Sequence, residues 1–138
     1  MFKPIAMSIS LLGLAACATA AENHDGLGSA PAPEPFVKVS DALPLPDFIP
    51  GLGDLYVNPE SLPGGPFLGY DRDGELAATI YMTPLAALED GTSYDLDIAN
   101  HTVTSTNVHY NAGHPGVDEP HVHVVLYHGS DAAERLAE

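Results

Sequence analysis

The run "HVHVVLY", residues 121–127, is β-prone throughout, and "TVTSTNVHYN", residues 102–111, is β-branched from Thr102 to Val108, so each predicts a strand. Upstream, "PFLGYDRDGELAATIYMTP", residues 66–84, sets two β-prone runs either side of Arg72-Asp73-Gly74, where Asp-Gly supplies the positive φ of a tight hairpin turn. "SYDLDIA", residues 93–99, alternates Tyr94, Leu96 and Ile98 with Asp95 and Asp97 and predicts a half-buried strand; a shorter one is expected at Leu55 to Val57. Two helices are expected. "TPLAALEDG" offers Thr83 as N-cap, Pro84 at the first helical position and Gly91 past the end, and "GSDAAERLAE" spaces Asp131 and Glu134 as a capping box. Between residues 42 and 67, prolines and glycines interrupt every apolar pair, so Leu43, Leu45, Phe48, Ile49 and Leu52 are expected to lie as an extended flap over a core. The sum is a mainly β domain, a small antiparallel sandwich or open barrel with one or two short helices.

The first residues change where such a domain is expected to live. "MFKPIAMSISLLGLAAC" carries one lysine and then an apolar run from Ile5 to Leu14, shorter than the roughly 20 residues that span a bilayer, and reads as an export signal. Leu14-Ala15-Ala16-Cys17 looks like a bacterial lipobox, in which the chain's single cysteine becomes a lipidated first residue; cleavage after Ala18-Thr19-Ala20 would instead release a soluble secreted protein. The first alternative places residues 1–17 as signal with lipidation at Cys17, residues 18–35 as a disordered Ala/Gly/Pro-rich tether, and residues 36–138 as one domain on the periplasmic side of the envelope, at the outer membrane. The formal charge is −15, or −16 once Lys3 leaves with the signal, with Lys38, Arg72 and Arg135 as the remaining cationic side chains. Nucleic acid and anionic lipid headgroups find almost nothing to pair with, so membrane contact is expected only through the lipid anchor.

"GHPGVDEPHVHVV", residues 113–125, carries the candidate chemistry. In a strand, His121 and His123 point the same way with Cα atoms roughly 6.6 Å apart, a separation from which two imidazoles converge on one ion at about 2 Å. His114 is the third candidate ligand, because Pro115 restricts its backbone while Gly113 and Gly116 let the loop turn around it. His109 joins the cluster if the strand register places it on the same face, and Asp118 and Glu119 are candidate carboxylate ligands or partners that orient an imidazole. Three imidazoles suit a transition metal, with zinc or copper foremost. The competing reading is a solvated strand edge beside an ordinary Gly-His-Pro-Gly turn. His128 belongs to the opposite row of side chains.

Other chemistries lack their motifs: no G-x-S-x-G elbow, P-loop or dinucleotide glycine pattern occurs, and Asp71-x-Asp73-Gly74 lacks the later ligands of a calcium loop. "HYNAGHPGVDEPHVHVVLYH" resembles a family of small exported bacterial β-proteins of unknown function, marked by Gly-His, a Pro-Gly loop and Pro-His-x-x-x-His. The matching positions are Gly113, His114, Pro120 and His121, with His123 departing from the pattern, and "GYDRDGELAATIYMTPLAAL" is similar to part of the same domain. The resemblance covers most of residues 50–128 and implies an exported β-domain, open to homo-oligomer formation, with a histidine cluster of unestablished activity. A cupin-like metal-dependent enzyme is the rival, since its metal motif also holds H-x-H after a glycine, although the following glutamate and the second cupin motif are missing here. The sequence thus supports three expectations: an envelope lipoprotein that binds a metal, a cupin-like enzyme, and a structural or interaction domain without metal.

Overall fold

A computed structural model of the chain describes residues 26–96 and 101–138. Its centre is one antiparallel sheet in the order β1-β2-β3-β4-β6-β5, made of β1 (Val37–Lys38), β2 (Asp54–Val57), β3 (Phe67–Tyr70), β4 (Leu76–Pro84), β5 (Ser105–Asn111) and β6 (His121–Tyr127). Among the described residues three short α-helices accompany it, α1 (Val39–Ala42), α2 (Leu85–Glu89) and α3 (Ala132–Ala137), with a 3-10 turn at Pro59–Ser61. The mainly β class with short helices is as expected, and among the described residues the sheet remains open, with no pairing between β1 and β5. The Asp-Gly turn forms where expected: Gly74 takes φ +79°, and the Asp71 carboxylate accepts the backbone N–H groups of Asp73 and Glu75. A β-bulge at Gly69/Tyr70 accompanies the hairpin.

β4 is covered on both faces and buried over eight of its nine residues. Ile80 and Met82 point into the main core with Leu55, Val57, Phe67 and Val125, and Leu43, Leu45, Ile49 and Leu52 pack over it as the anticipated flap. Phe48 lies apart from that flap; the Arg72 guanidinium sits 4.0 Å from its ring centroid. A second cluster on the β2–β3 side gathers Leu27, Ala32, Leu68, Tyr70 and Leu76.

That second cluster corrects the expectation of a tether reaching to residue 35. Residues 26–35 pack on the sheet: Leu27 is 3% exposed, its carbonyl accepts the Tyr70 hydroxyl at 2.8 Å, Leu76 donates to Gly28 and Ala30 to Gly74. Burying one leucine contributes about 1.5–3 kcal/mol, enough to fix a neighbour or two of backbone at about 1–2 kcal/mol each. The apolar content of this stretch is low, but it is placed where it counts. Residues 1–25, with the signal, Cys17 and His24, lie outside the described residues.

Three local expectations also change. Residues 93–96 form no strand, and Tyr94 is exposed; residues 97–100 lie outside the described residues. Thr83 does not cap α2, because it remains in β4 opposite Val122, whose carbonyl accepts its hydroxyl, and Pro84 takes the cap position. The Asp131 side chain makes no capping bond to α3, since its carboxylate accepts from the Arg135 Nε at 3.2 Å instead.

Candidate metal centre

β6 carries His121 and His123 on the face of the sheet that holds Val125 and the main core, and burial leaves them 1% and 5% exposed. The register with β5 puts His109 opposite His123, two residues from the pairing with His121, and so on the same face. His114 arrives from the connecting loop. It closes a two-residue turn with Val117, each donating its N–H to the other's carbonyl at 2.9 Å, with Pro115 and Gly116 (φ +91°) in the central positions that a type II turn assigns to proline and glycine. The loop is set one step earlier by Asn111, whose side-chain oxygen accepts the Gly113 N–H at 2.9 Å. A Cβ at Gly113 would stand 2.5 Å from the Asp118 carbonyl oxygen, and the φ there is +131°. Gly113→Ala is therefore expected to displace the loop and His114 with it, and, if the group holds an ion, to cost at least about tenfold in its affinity by calorimetric titration, the lower end for disturbing the support of a metal ligand. An unaltered affinity would show that the loop has slack enough to absorb the methyl.

The three rings meet through their Nε2 atoms. His121 Nε2 lies 3.2 Å from His114 Nε2 and 2.9 Å from His123 Nε2, and the three form a group whose ligand atoms all lie within 4.8 Å of one another. Two nitrogens bound to one tetrahedral zinc at about 2.0–2.1 Å stand roughly 3.3 Å apart, so the spacing suits a shared ion.

The hydrogen-bond inventory sharpens this. His121 Nδ1 faces the Glu119 carbonyl at 2.7 Å and His114 Nδ1 faces the Pro115 carbonyl at 3.1 Å. A carbonyl can only accept, so both Nδ1 atoms carry the hydrogens, and in the neutral rings both Nε2 atoms present lone pairs to each other. Lone pairs at this separation repel unless a proton or a metal cation lies between them. His123 Nε2 could donate to one of them, but its own Nδ1 is buried and has no hydrogen-bond partner among the described residues. Burial first, and then the cost of placing a positive charge close to three other imidazoles, His121, His109 and His114, pushes the His123 pKa down to about 4, so this ring is neutral at physiological pH.

The remaining candidates are placed differently. His109 packs its ring 4.9 Å from that of His123, but it is exposed, its Nδ1 bonds the Asn107 side chain at 2.7 Å, and it is outside the group of three. Asp118 and Glu119 are exposed; neither carboxylate belongs to the group, and Glu119 contributes its main-chain oxygen. The role of Asn111 was not anticipated from the sequence, although an Asn two residues before a glycine is a known turn-forming signal. His128 sits on the other side of the sheet: its Nδ1–H donates to the Thr102 carbonyl at 2.9 Å, so its Nε2 accepts from the Thr79 hydroxyl at 2.8 Å, and its ring lies 5.4 Å from that of His101. Burial lowers its pKa. Thr79 and His128 have the reach of a nucleophile and base, but Thr79 is wholly buried, so the pair serves packing.

A cavity of about 340 Å³ opens against the cluster, lined by His114 and His123 at one side and otherwise almost wholly by apolar side chains from the flap, β3 and β4. No helix among the described residues is long and apolar enough to cross a membrane.

Neither protein-family models nor curated proteins match the chain. Among solved structures, it is similar to the crystal structure of the hypothetical protein TTHB210 from Thermus thermophilus, at 40% identity and a TM-score of 0.58, over 68% of this chain and 94% of that one. At that identity and coverage, the chain belongs to the same family as TTHB210.

Proposed function

We propose that this protein is an exported envelope lipoprotein whose β-domain binds one transition metal ion, zinc or copper, through His114, His121 and His123. The observation that carries the metal reading is the pair of lone-pair nitrogens on His114 and His121, held 3.2 Å apart by carbonyls that fix both tautomers. A cation resolves that repulsion, and the outer carbonyl bonds would orient and enrich the ligating nitrogens. Three histidines leave a position free for water or another ligand. The export and lipidation part rests on the signal-like start and Cys17. The same anchor would be the protein's membrane contact, with nucleic acid excluded as a partner by charge and self-assembly open to it.

The test is elemental analysis of untagged protein prepared without chelator, followed by zinc titration of the stripped protein. One ion per chain is expected. At free zinc about a hundredfold above Kd, the fold should gain about 2.7 kcal/mol, which for about a hundred ordered residues raises Tm by roughly 10 °C. Substoichiometric metal in every preparation, together with an unmoved Tm, would remove the metal and leave the structural-domain reading. Mass spectrometry of the envelope fraction checks the anchor: a diacylglyceryl group on Cys17 is expected, and a mature chain starting at Ala21 would show simple secretion.

A second reading, a cupin-like metal-dependent enzyme, is favoured by one observation. The apolar cavity touches two of the three histidines, as a substrate site beside an open metal position would.

A further inference from the structure

We propose that the cavity beside the histidines binds a medium-chain aliphatic carboxylate, its head group on the open position of the metal and its chain under the flap. This rests on the metal reading above and adds to it the class of ligand. Leu43, Leu45, Ile49 and Leu52 form the cover, and Ile80 and Met82 the floor. Met82 pairs with His123 and Ile80 with Val125, so the histidines stand at one end and the floor runs away from them along β4. An occupant is accordingly apolar over its length and polar at one tip.

Size and charge narrow the choice. A volume of about 340 Å³ is at the small end of ligand sites. An aliphatic chain of several carbons fits such a space, and octanoate serves as the probe. The walls are branched aliphatic side chains with one aromatic ring, Phe67, and no lysine or arginine lines them. An anionic head could therefore be neutralised only by the metal. A carboxylate brings a single charge and ligates zinc at about 2.0–2.2 Å, which suits one open position. A phosphate would bring a second charge with no cationic side chain in the lining to meet it, and an ammonium head would be repelled by the ion.

The experiment is calorimetric titration of octanoate into the chain as the producing cell leaves it, with zinc loaded and with zinc removed, zinc uptake being measured first and separately. Expected is one octanoate per zinc-loaded chain, at least about tenfold weaker binding without zinc, and weaker binding of octanol than of octanoate. Across butanoate, hexanoate and octanoate, affinity should rise ~fourfold per added CH₂ buried. Leu45→Trp, which fills the cavity from the half-buried flap, should weaken octanoate while leaving zinc uptake in place; the chain-length series needs no variant and stands even if this one folds badly. Zinc binding without octanoate binding would overturn the ligand assignment and leave the metal centre. No zinc uptake would overturn the metal centre itself and the assignment with it. Octanoate binding that ignores zinc would overturn the head-group placement, and association of the chain with itself in place of octanoate uptake would show that a second copy fills the cavity.

Discussion

His121→Ala is expected to lower zinc affinity by more than about 100-fold, since even changes to groups that only support a metal ligand cost about 10–100-fold. His121 is the middle ring of the three: its Nε2 lies 3.2 Å from His114 and 2.9 Å from His123, and it is 1% exposed. Without it, the two remaining imidazoles have no common neighbour and the Glu119 carbonyl loses its donor. Removing a buried ring also leaves a void, at an expected cost of about 2–3 kcal/mol in stability. His114→Ala separates the two effects. That ring is only half-buried on a loop, so its removal should leave the fold's unfolding midpoint in urea close to that of the metal-free parent while still abolishing one-to-one zinc uptake. Should both variants take up zinc as the parent does, the ion is not held by these rings.

Asp71→Asn is expected to cost about 3 kcal/mol in unfolding free energy, the lower end for breaking a buried ion pair. The Asp71 side chain is 3% exposed, accepts the N–H groups of the β3–β4 turn, and pairs with the Arg135 guanidinium of α3. It therefore ties the last helix to the central hairpin. Burial works against its charge, yet the Glu75 N–H, the Arg135 guanidinium and the Asp73 N–H outweigh that and hold its pKa below the ordinary carboxylate value. A carboxyl whose pKa is depressed by folding stabilises fully above its unfolded value, about 3.9, and loses that contribution as the pH falls through the folded value. The difference between parent and variant in urea unfolding should hence be full at about pH 6 and shrink below about pH 4. A difference that stays constant into acid would mean that the asparagine amide, and not the lost charge, causes the destabilisation.

Much of this fold was legible because its strands advertise themselves. The observed β6, His121–Tyr127, has the bounds read from "HVHVVLY", and the hairpin turn at Gly74 follows from Asp-Gly alone. The convergence of His114 with His121 and His123 could be anticipated from alternation and the Pro-Gly turn, because both are local. What escaped was set by distant partners. The strand expected at residues 93–99 had the right alternation, but its described residues, 93–96, pair with no strand of the sheet, a matter alternation alone does not decide. Residues 26–35 look like a linker by composition, and only the surface made by Leu68, Tyr70 and Leu76 gives Leu27 and Ala32 somewhere to go. The position of His109 depended on register, a matter for β5 and β6 together. The cavity likewise needed the flap's path across the sheet, which no local pattern specifies.

β5 forms the last strand of the sheet, with Val108 and Tyr110 largely exposed, whereas β4 is sealed on both sides. Resistance to opening follows buried contacts, so backbone amide exchange should be slowest in β4 and quicken outward to β5. The histidines sit at the boundary between the slow interior and the breathing rim, with two on β6 and one on the loop that joins it to β5. Local fraying there would consequently open the three-histidine group to solvent, while the rest of the domain stays shut.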